Sequence, residues 1–155
     1  MADLMAACCV AGRVAQMMTP EPVTVLPDTA AWEVWETMNG RRFRHMPIAD
    51  AEGILVGIVS IRDLMLALHS QEGTDAAKGV QPIAELMHPE VDTVRADCCA
   101  GEAARHMLRT KRSCLPVVEK AGRLIGILTE ADFLRNFMRS SPPCSCGGLE
   151  GTSGT

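Results

Sequence analysis

Tyrosine is absent from the sequence, and three Phe and two Trp are its only aromatic residues. With so few rings, a core must be filled by aliphatic side chains and by the 10 Met, whose unbranched thioethers adapt to irregular gaps. A basic excess is missing too. The formal charge of −4 argues against a nucleic-acid binder, although it leaves room for a local basic pocket that takes a phosphorylated small molecule. No apolar run approaches the roughly 20 residues needed to span a bilayer, so no membrane insertion is expected. No secretory leader is legible, because Asp3 stands where a basic segment belongs and the apolar run from Leu4 breaks at Gly12-Arg13. The seven Cys are odd in number and fall as Cys8-Cys9, Cys98-Cys99, Cys114 and Cys144-Ser145-Cys146. A cytoplasmic location with reduced thiols is the expectation.

Catalytic signatures are lacking as well. The four His (45, 69, 88 and 106) show no metal-ligand spacing, and no Ser-His-Asp, Cys-His or glycine-rich phosphate loop appears. No catalytic residue and no metal site is assigned.

What the chain does have is itself, twice. Residues 18–65 match 87–134 at a constant offset of 69, without a gap and with fifteen of the 48 positions identical. The shared residues include Met18/Met87, Pro20/Pro89, Asp28/Asp97, Pro47/Pro116, Gly57/Gly126 and Asp63/Asp132. Gly, Pro and Asp do not stay in step over such a span by chance. This is an internal duplication.

Each unit reads β-α-β-β-α, an α+β (α/β) pattern. Val23 to Leu26 is a short β-prone run closed by Pro27-Asp28. A helix then starts, with Asp28 or Thr29 as its expected N-cap and Ala31, Val34, Trp35 and Met38 as an inward stripe. His45–Ala49 and Ile54–Val59 read as strands around an Asp-Ala-Glu-Gly turn, followed by a helix from Arg62. The boundaries are 14–69 for the first repeat, 70–82 for a polar linker and 83–139 for the second; residues 1–13 and 140–155 read as flexible termini. One unit has too little core to fold confidently alone, so the two are expected to pack about a pseudo-twofold axis with two equivalent clefts between them.

Both units carry Gly-apolar-apolar-Ser/Thr-x-x-Asp where a strand gives way to a helix: Gly57 to Asp63, and Gly126 to Asp132. Ser/Thr followed three residues later by an acid is a helix-capping pattern. Three features point further. The motif recurs at the same place, it uses Asp where a capping box prefers Glu or Gln, and a Gly precedes it, leaving the strand backbone open to a ligand. A carboxylate there can accept hydrogen bonds from both hydroxyls of a ribose, and the helix N-terminus can face a phosphate. Capping and ligand binding are compatible.

Together, the two units, the opening Met-Thr-Pro, the apolar-Pro-apolar strand and Gly-h-h-Ser/Thr-x-x-Asp resemble a tandem pair of cystathionine-β-synthase (CBS) domains, a Bateman module, over residues 14–139. The resemblance implies a non-enzymatic regulator, often dimeric, that binds an adenosine-containing ligand (AMP, ADP, ATP or S-adenosylmethionine) and modulates a partner protein. It makes Asp63 and Asp132 the ribose anchors, with Ser60 and Thr129 beside them and Ile58 and Ile127 on the same strands. It also implies that each cleft mixes the two units. The Asp132 cleft takes Val23, Phe43 and Arg44, the Asp63 cleft takes Asp92, Arg112 and Ser113, and His45, Pro47 and Pro116 are further ligand-binding candidates.

The two clefts differ already in sequence. Cations crowd ahead of Pro47 in Arg41-Arg42-Phe43-Arg44-His45, as phosphate ligands or as a solvated basic turn. The second unit has Ser113-Cys114 in place of Arg44-His45, and Asp92 in place of Val23. The Asp132 cleft is therefore the expected nucleotide-phosphate site. His88 and His106 replace Thr of the first unit and read as surface drift. Trp32, off the inward stripe, is either an anchor for a homodimer or a ring partly buried on its own domain. Cys98-Cys99 opens a helix, as a reactive thiol or as a small buried hydrophobe. Two alternatives to a ligand sensor remain: a thiol-based redox or metal switch using Cys8, Cys9, Cys144 and Cys146, and a structural dimerisation module with degenerate sites.

Overall fold

The computed structural model describes residues 12–70 and 80–140, apart from the side chains of His69 and Ser70. Cys8, Cys9, Cys144 and Cys146, and the flexibility expected of the termini, lie outside the described residues. A short helix α1 (Val14–Met17) and strand β1 (Thr19–Pro20) lead into α2 (Ala31–Arg41), β2 (His45–Ala49), β3 (Leu55–Ser60) and α3 (Ile61–Ser70). A 3₁₀ turn at Ile83–Glu85 then opens the second half, with α4 (Ala100–Thr110), β4 (Cys114–Val118), β5 (Leu124–Thr129) and α5 (Glu130–Ser140).

The hairpins form as the alternation suggests. β2 and β3 pair antiparallel with Met46 opposite Val59 and Pro47 opposite Ile58, and β4 and β5 pair with Leu115 opposite Leu128 and Pro116 opposite Ile127. On α2 the stripe buries Ala31, Val34 and Met38 completely, while Trp35 packs at its edge. The strand expected at Val23–Leu26 shrinks to one parallel bridge, Val25 to Ile48, with its twin at Val94 to Val117. In the first repeat Pro22 and Pro27 flank that bridge, and a proline has no N–H to extend a ladder.

The helix starts correct the expected caps. Ala30 and Cys99 are the N-caps of α2 and α4, and neither makes a side-chain capping bond. A distant backbone does the work instead: the Ala31 N–H donates to the Gln81 carbonyl at 2.8 Å, and Ala100 N–H to the Gly12 carbonyl at 2.9 Å. With an orphan donor already satisfied, Asp28 and Thr29 have no capping role to fill.

Those two contacts belong to a reciprocal exchange. Val14, at the head of the first repeat, is buried in the core of the second with Ala103, Met107, Leu115 and Leu128. Ile83, its counterpart 69 residues later, is buried in the core of the first with Met38, Met46, Ile48 and Leu64. β1 pairs with β5, placing Thr19 opposite Ile127, and His88 bridges Ile58 of β3 through hydrogen bonds of 2.8 and 3.1 Å. Each repeat thus completes its partner's sheet and core. Burial of Val14 or Ile83 alone contributes roughly 1.5–3 kcal/mol.

The exchange also explains the glycines before the Ser/Thr motifs. A Cβ on Gly126 would come within 2.5 Å of the Met18 sulfur and 3.2 Å of the Thr19 carbonyl, and one on Gly57 would run into the Met87 thioether. These glycines admit a methionine of the exchanged segment, not a ligand as the sequence suggested.

Candidate functional site

Two cavities open on either side of a contact at the centre of the pair, where Ser113 Oγ lies 3.1 Å from His45 Nε2. His45 opens β2 and Ser113 lies in the turn between α4 and β4, and His45 lines both cavities.

The Asp63 cleft, about 380 Å³, gathers His45, Ile58, Ser60 and Asp63 from the first repeat with Asp92, Arg112, Ser113 and Pro116 from the second. Its charges cancel. Asp63, Glu90 and Asp92 face Arg62, Lys111 and Arg112, and Asp92 is held between Arg112 Nε at 3.4 Å and His106 Nε2 at 3.5 Å. The hydrogen bond from Ser60 Oγ, 2.6 Å from Asp63 Oδ2, holds the Asp63 carboxyl below the ordinary carboxylate range; burial opposes the shift and His88 reinforces it.

The Asp132 cleft, about 310 Å³, gathers Val23, Phe43, Arg44, His45 and Pro47 with Ile127 and Thr129. Arg42, one of the cations ahead of Pro47, lines it too, as do Arg135, Pro22 and Glu21, which the sequence reading missed as site residues. Arg42, Arg44 and Arg135 stand here against the lining carboxylate of Glu21, with Glu130 and Asp132 pairing Arg44 and Arg135 from outside the lining, beside a wall of Pro22, Val23, Phe43, Pro47 and Ile127. Arg44 makes a loose, exposed pair with Glu130 at 3.7 Å, a contact of small energetic weight. Arg42 ends α2 in the left-handed conformation (φ 57°), and Lys111 ends α4 likewise (φ 55°). Glycine is the usual occupant of that geometry, so each repeat accepts strain where a cation borders a cleft.

Asp132 itself does not line this cavity but a neighbouring one with Met18, Thr19 and Arg135, and its side chain is 2 % exposed, whereas the Asp63 side chain is 43 % exposed. Thr129 N–H and Thr129 Oγ1 both donate to Asp132 Oδ2 at 2.7 Å; Arg135 Nη1 donates to Oδ1 at 2.6 Å and Thr19 Oγ1 at 3.4 Å. At Asp63, the N–H donates to Ser60 Oγ at 3.1 Å. Each motif therefore forms a different half of a capping box: the Asp132 carboxylate caps the Thr129 N–H, whereas the Ser60 hydroxyl caps the Asp63 N–H, and both carboxylates are candidate ligand groups.

His88 is not surface drift. Its Nε2 lies 3.2 Å from Asp63 Oδ2, so it contacts the first motif's carboxylate as its counterpart Thr19 contacts the second's, though on the oxygen that Ser60 also holds. His106, against Asp92, is not idle either. Burial, with Arg44 adding to it, pushes the His45 imidazole below its ordinary value, so it is neutral at pH 7. Burial pushes the Cys114 thiol up to about 12, which keeps it protonated and unreactive. Trp32, 46 % exposed, stacks on Trp35 with ring centroids 4.7 Å apart, so its own helix covers one face. Among the described residues no three His, Cys, Asp or Glu side chains converge as a metal cluster, and no helix is long and apolar enough to cross a membrane.

A duplicated unit with paired Ser/Thr-x-x-Asp motifs and mixed clefts has known counterparts. Residues 14–70 and 83–139 each match the family model of the CBS domain. The chain belongs to the CBS domain family. A CBS domain-containing protein of Dictyostelium discoideum is 31 % identical over 127 residues, covering 78 % of this chain and 88 % of its own. The magnesium transporter MgtE of Thermus thermophilus is 33 % identical over 123 residues, covering 76 % of this chain but only 25 % of the transporter. Among solved structures, CBSX2 in complex with AMP superposes with a TM-score of 0.73 at 31 % identity, over 83 % of this chain and 97 % of that one. The CBS domain pair of MJ0100, in complex with 5′-methylthioadenosine and S-adenosyl-L-methionine, gives a TM-score of 0.71 at 28 % identity, over 83 % and 98 % of the two chains. The α+β architecture of two repeats is shared with these CBS pairs.

Proposed function

We propose that this CBS pair is a regulatory module that binds an adenine nucleotide in the Asp132 cleft and acts by shifting the relative placement of its two repeats. The observation that carries the reading is the composition of that cleft. Arg42, Arg44 and Arg135 offer forked donors to phosphate, and Val23, Phe43 and Pro47 offer an apolar slot to a base. The complexes of CBSX2 with AMP and of MJ0100 with adenosyl compounds support an adenosine-containing ligand. The Asp63 cleft, with balanced charge, suits an adenosyl ligand without phosphates better than it suits ATP.

A ligand bridging Thr129 on β5 and Phe43 beside β2 touches both repeats, so it favours whichever arrangement lets it touch both. The reading includes a homodimer. Met65 and Leu66 on α3, and Leu134, Phe137 and Met138 on α5, are exposed apolar residues on the two closing helices and form the face offered to a second copy. A change in that face is how a regulated partner protein senses the ligand; no reaction is assigned to the module, and it acts in the cytoplasm.

The experiment is a thermal shift series with AMP, ADP, ATP and S-adenosylmethionine, with and without reductant. A nucleotide at 100 times its dissociation constant adds about 2.7 kcal/mol to the folded state. If no adenosyl ligand moves the melting temperature, the sensor reading is wrong. A shift that depends on oxidant or zinc alone would instead favour a thiol switch.

A further inference from the structure

Asp63 and Asp132 occupy matching positions, but the groups that hold them differ in kind. Asp132 accepts four hydrogen bonds, two on each oxygen, from Thr129 (twice), Arg135 and Thr19. A carboxylate has about four lone-pair sites, so this one is full. Among the described residues, the side-chain donors to Asp63 meet only Oδ2. The residue three positions beyond Asp63 is Leu66, exposed and uncharged, where Asp132 has Arg135. Arg135 spans from the buried carboxylate to solvent, with 62 % of its side chain exposed, and lines the Asp132 cleft.

We propose that Arg135 determines the specificity of the Asp132 cleft, as a latch on the ribose-binding carboxylate that only a phosphorylated nucleoside releases. This rests on the reading of that cleft as the nucleotide site. Oδ1 is held tightly by Arg135 at 2.6 Å and loosely by Thr19 at 3.4 Å, so a ribose that brings both its hydroxyls to Oδ1 displaces Arg135 as well as Thr19. A neutral hydroxyl brings no counter-charge, and a buried carboxylate that loses its cation is strongly disfavoured. A phosphate in the same cavity changes the balance, because it offers the displaced guanidinium a forked anionic partner. Charge pairing is then conserved: Arg135 moves from carboxylate to phosphate, and the ribose takes its place. Arg42 and Arg44 strengthen phosphate binding, but neither sits on Asp132, so neither rejects an unphosphorylated nucleoside. Arg135 does both.

The test titrates AMP and adenosine by calorimetry into the full-length wild type, Arg135→Met and Arg135→Gln. Met keeps the alkyl stem without the charge, and Gln keeps a neutral donor near Asp132 and so preserves folding, checked by circular dichroism. The wild type is expected to prefer AMP by about 100-fold, and Arg135→Met to bind adenosine about 10-fold tighter and AMP about 10-fold weaker than the wild type, bringing the two near parity. Arg135→Gln is expected to show the same opposite shifts at about 3-fold each. The gain for adenosine decides the matter, since a residue that only grips phosphate or braces α5 yields none. If the wild type binds AMP and neither variant gains adenosine, the latch is wrong and the nucleotide reading stands. If the wild type binds neither compound, both fall together.

Discussion

The Asp63 and Asp132 clefts are assembled from equivalent parts, yet they offer a ligand different chemistry. Both have a hairpin strand ending in Ser or Thr, a helix with the motif Asp in its first turn, and a methionine of the exchanged segment packed on a glycine. The differences fall on a few rim positions, Val23 against Asp92, Phe43 against Arg112, Arg44 against Ser113 and Thr19 against His88, and on Arg135, whose counterpart Leu66 stays outside its cleft. Duplication has kept the packing and varied the rim. Core positions answer to the neighbouring repeat, so they stay apolar even where they change size, as at Val34/Ala103, Met46/Leu115 and Val59/Leu128. Rim positions answer to a ligand or to solvent, so the two copies are free to part, one toward balanced charge and the other toward a cationic, apolar-walled pocket.

The assignment of the nucleotide to one cleft breaks most directly on the two carboxylates. Asp132→Asn is expected to weaken AMP binding about 100-fold, on the order of two charge-assisted hydrogen bonds lost, while Asp63→Asn leaves it within about threefold. Calorimetry decides, and a larger loss from Asp63→Asn would exchange the roles of the clefts. Packing should show the opposite, near-equal behaviour. Gly57→Ala and Gly126→Ala each force a Cβ against a methionine thioether and a backbone carbonyl, an overpacking cost of about 1–3 kcal/mol by urea denaturation. Unequal costs would mean that the exchanged segments do not hold the two repeats alike.

A smaller effect separates strain from function. Arg42→Gly and Lys111→Gly each relieve a left-handed residue, so each is expected to raise stability by about 1 kcal/mol. Only Arg42→Gly should also weaken AMP binding; a similar loss from Lys111→Gly would place phosphate in the other cleft. The smallest effect concerns His45, which both clefts share. Its folded-state value lies below its ordinary 6.5, so below pH 6.5 the unfolded chain takes up a proton that the folded chain resists. The stability from neutral His45 is therefore present near pH 7.5 and lost as pH falls through 6.5 toward its folded value. His45→Gln should flatten the dependence between pH 7.5 and 5.5. Asp63 does not confuse the test, because its depressed value withdraws stability only below the ordinary 3.8.

Much of this was legible in the residues. The offset of 69 exposed the duplication, the spacing of Ala31, Val34 and Met38 marked a buried helix face, and Pro47 and Pro116 marked the first strand of each hairpin. Most of the cleft walls could be named from family resemblance, since they lie on elements that the repeat itself defines. Helix starts were not legible. Asp28 and Thr29 are good caps by composition, but the donor they would satisfy is met by a carbonyl 50 residues away, at Gln81. Nor could Gly57 be read correctly, because its neighbour Met87 arrives from the other repeat. Arg135 left a signal that was passed over: a cation three residues after Asp132 on a helix lies within reach of it.

The sequence alone determined the repeat, its order of elements, the two Ser/Thr-x-x-Asp motifs and the surplus of arginine before Pro47. These are local patterns, and periodicity carries them. Tertiary structure decided which repeat each opening segment completes, that Asp132 is covered while Asp63 is open, and that one histidine serves two clefts. Those are meetings between residues dozens of positions apart. Their energies come from burial and charge pairing at close range, which no one-dimensional pattern records.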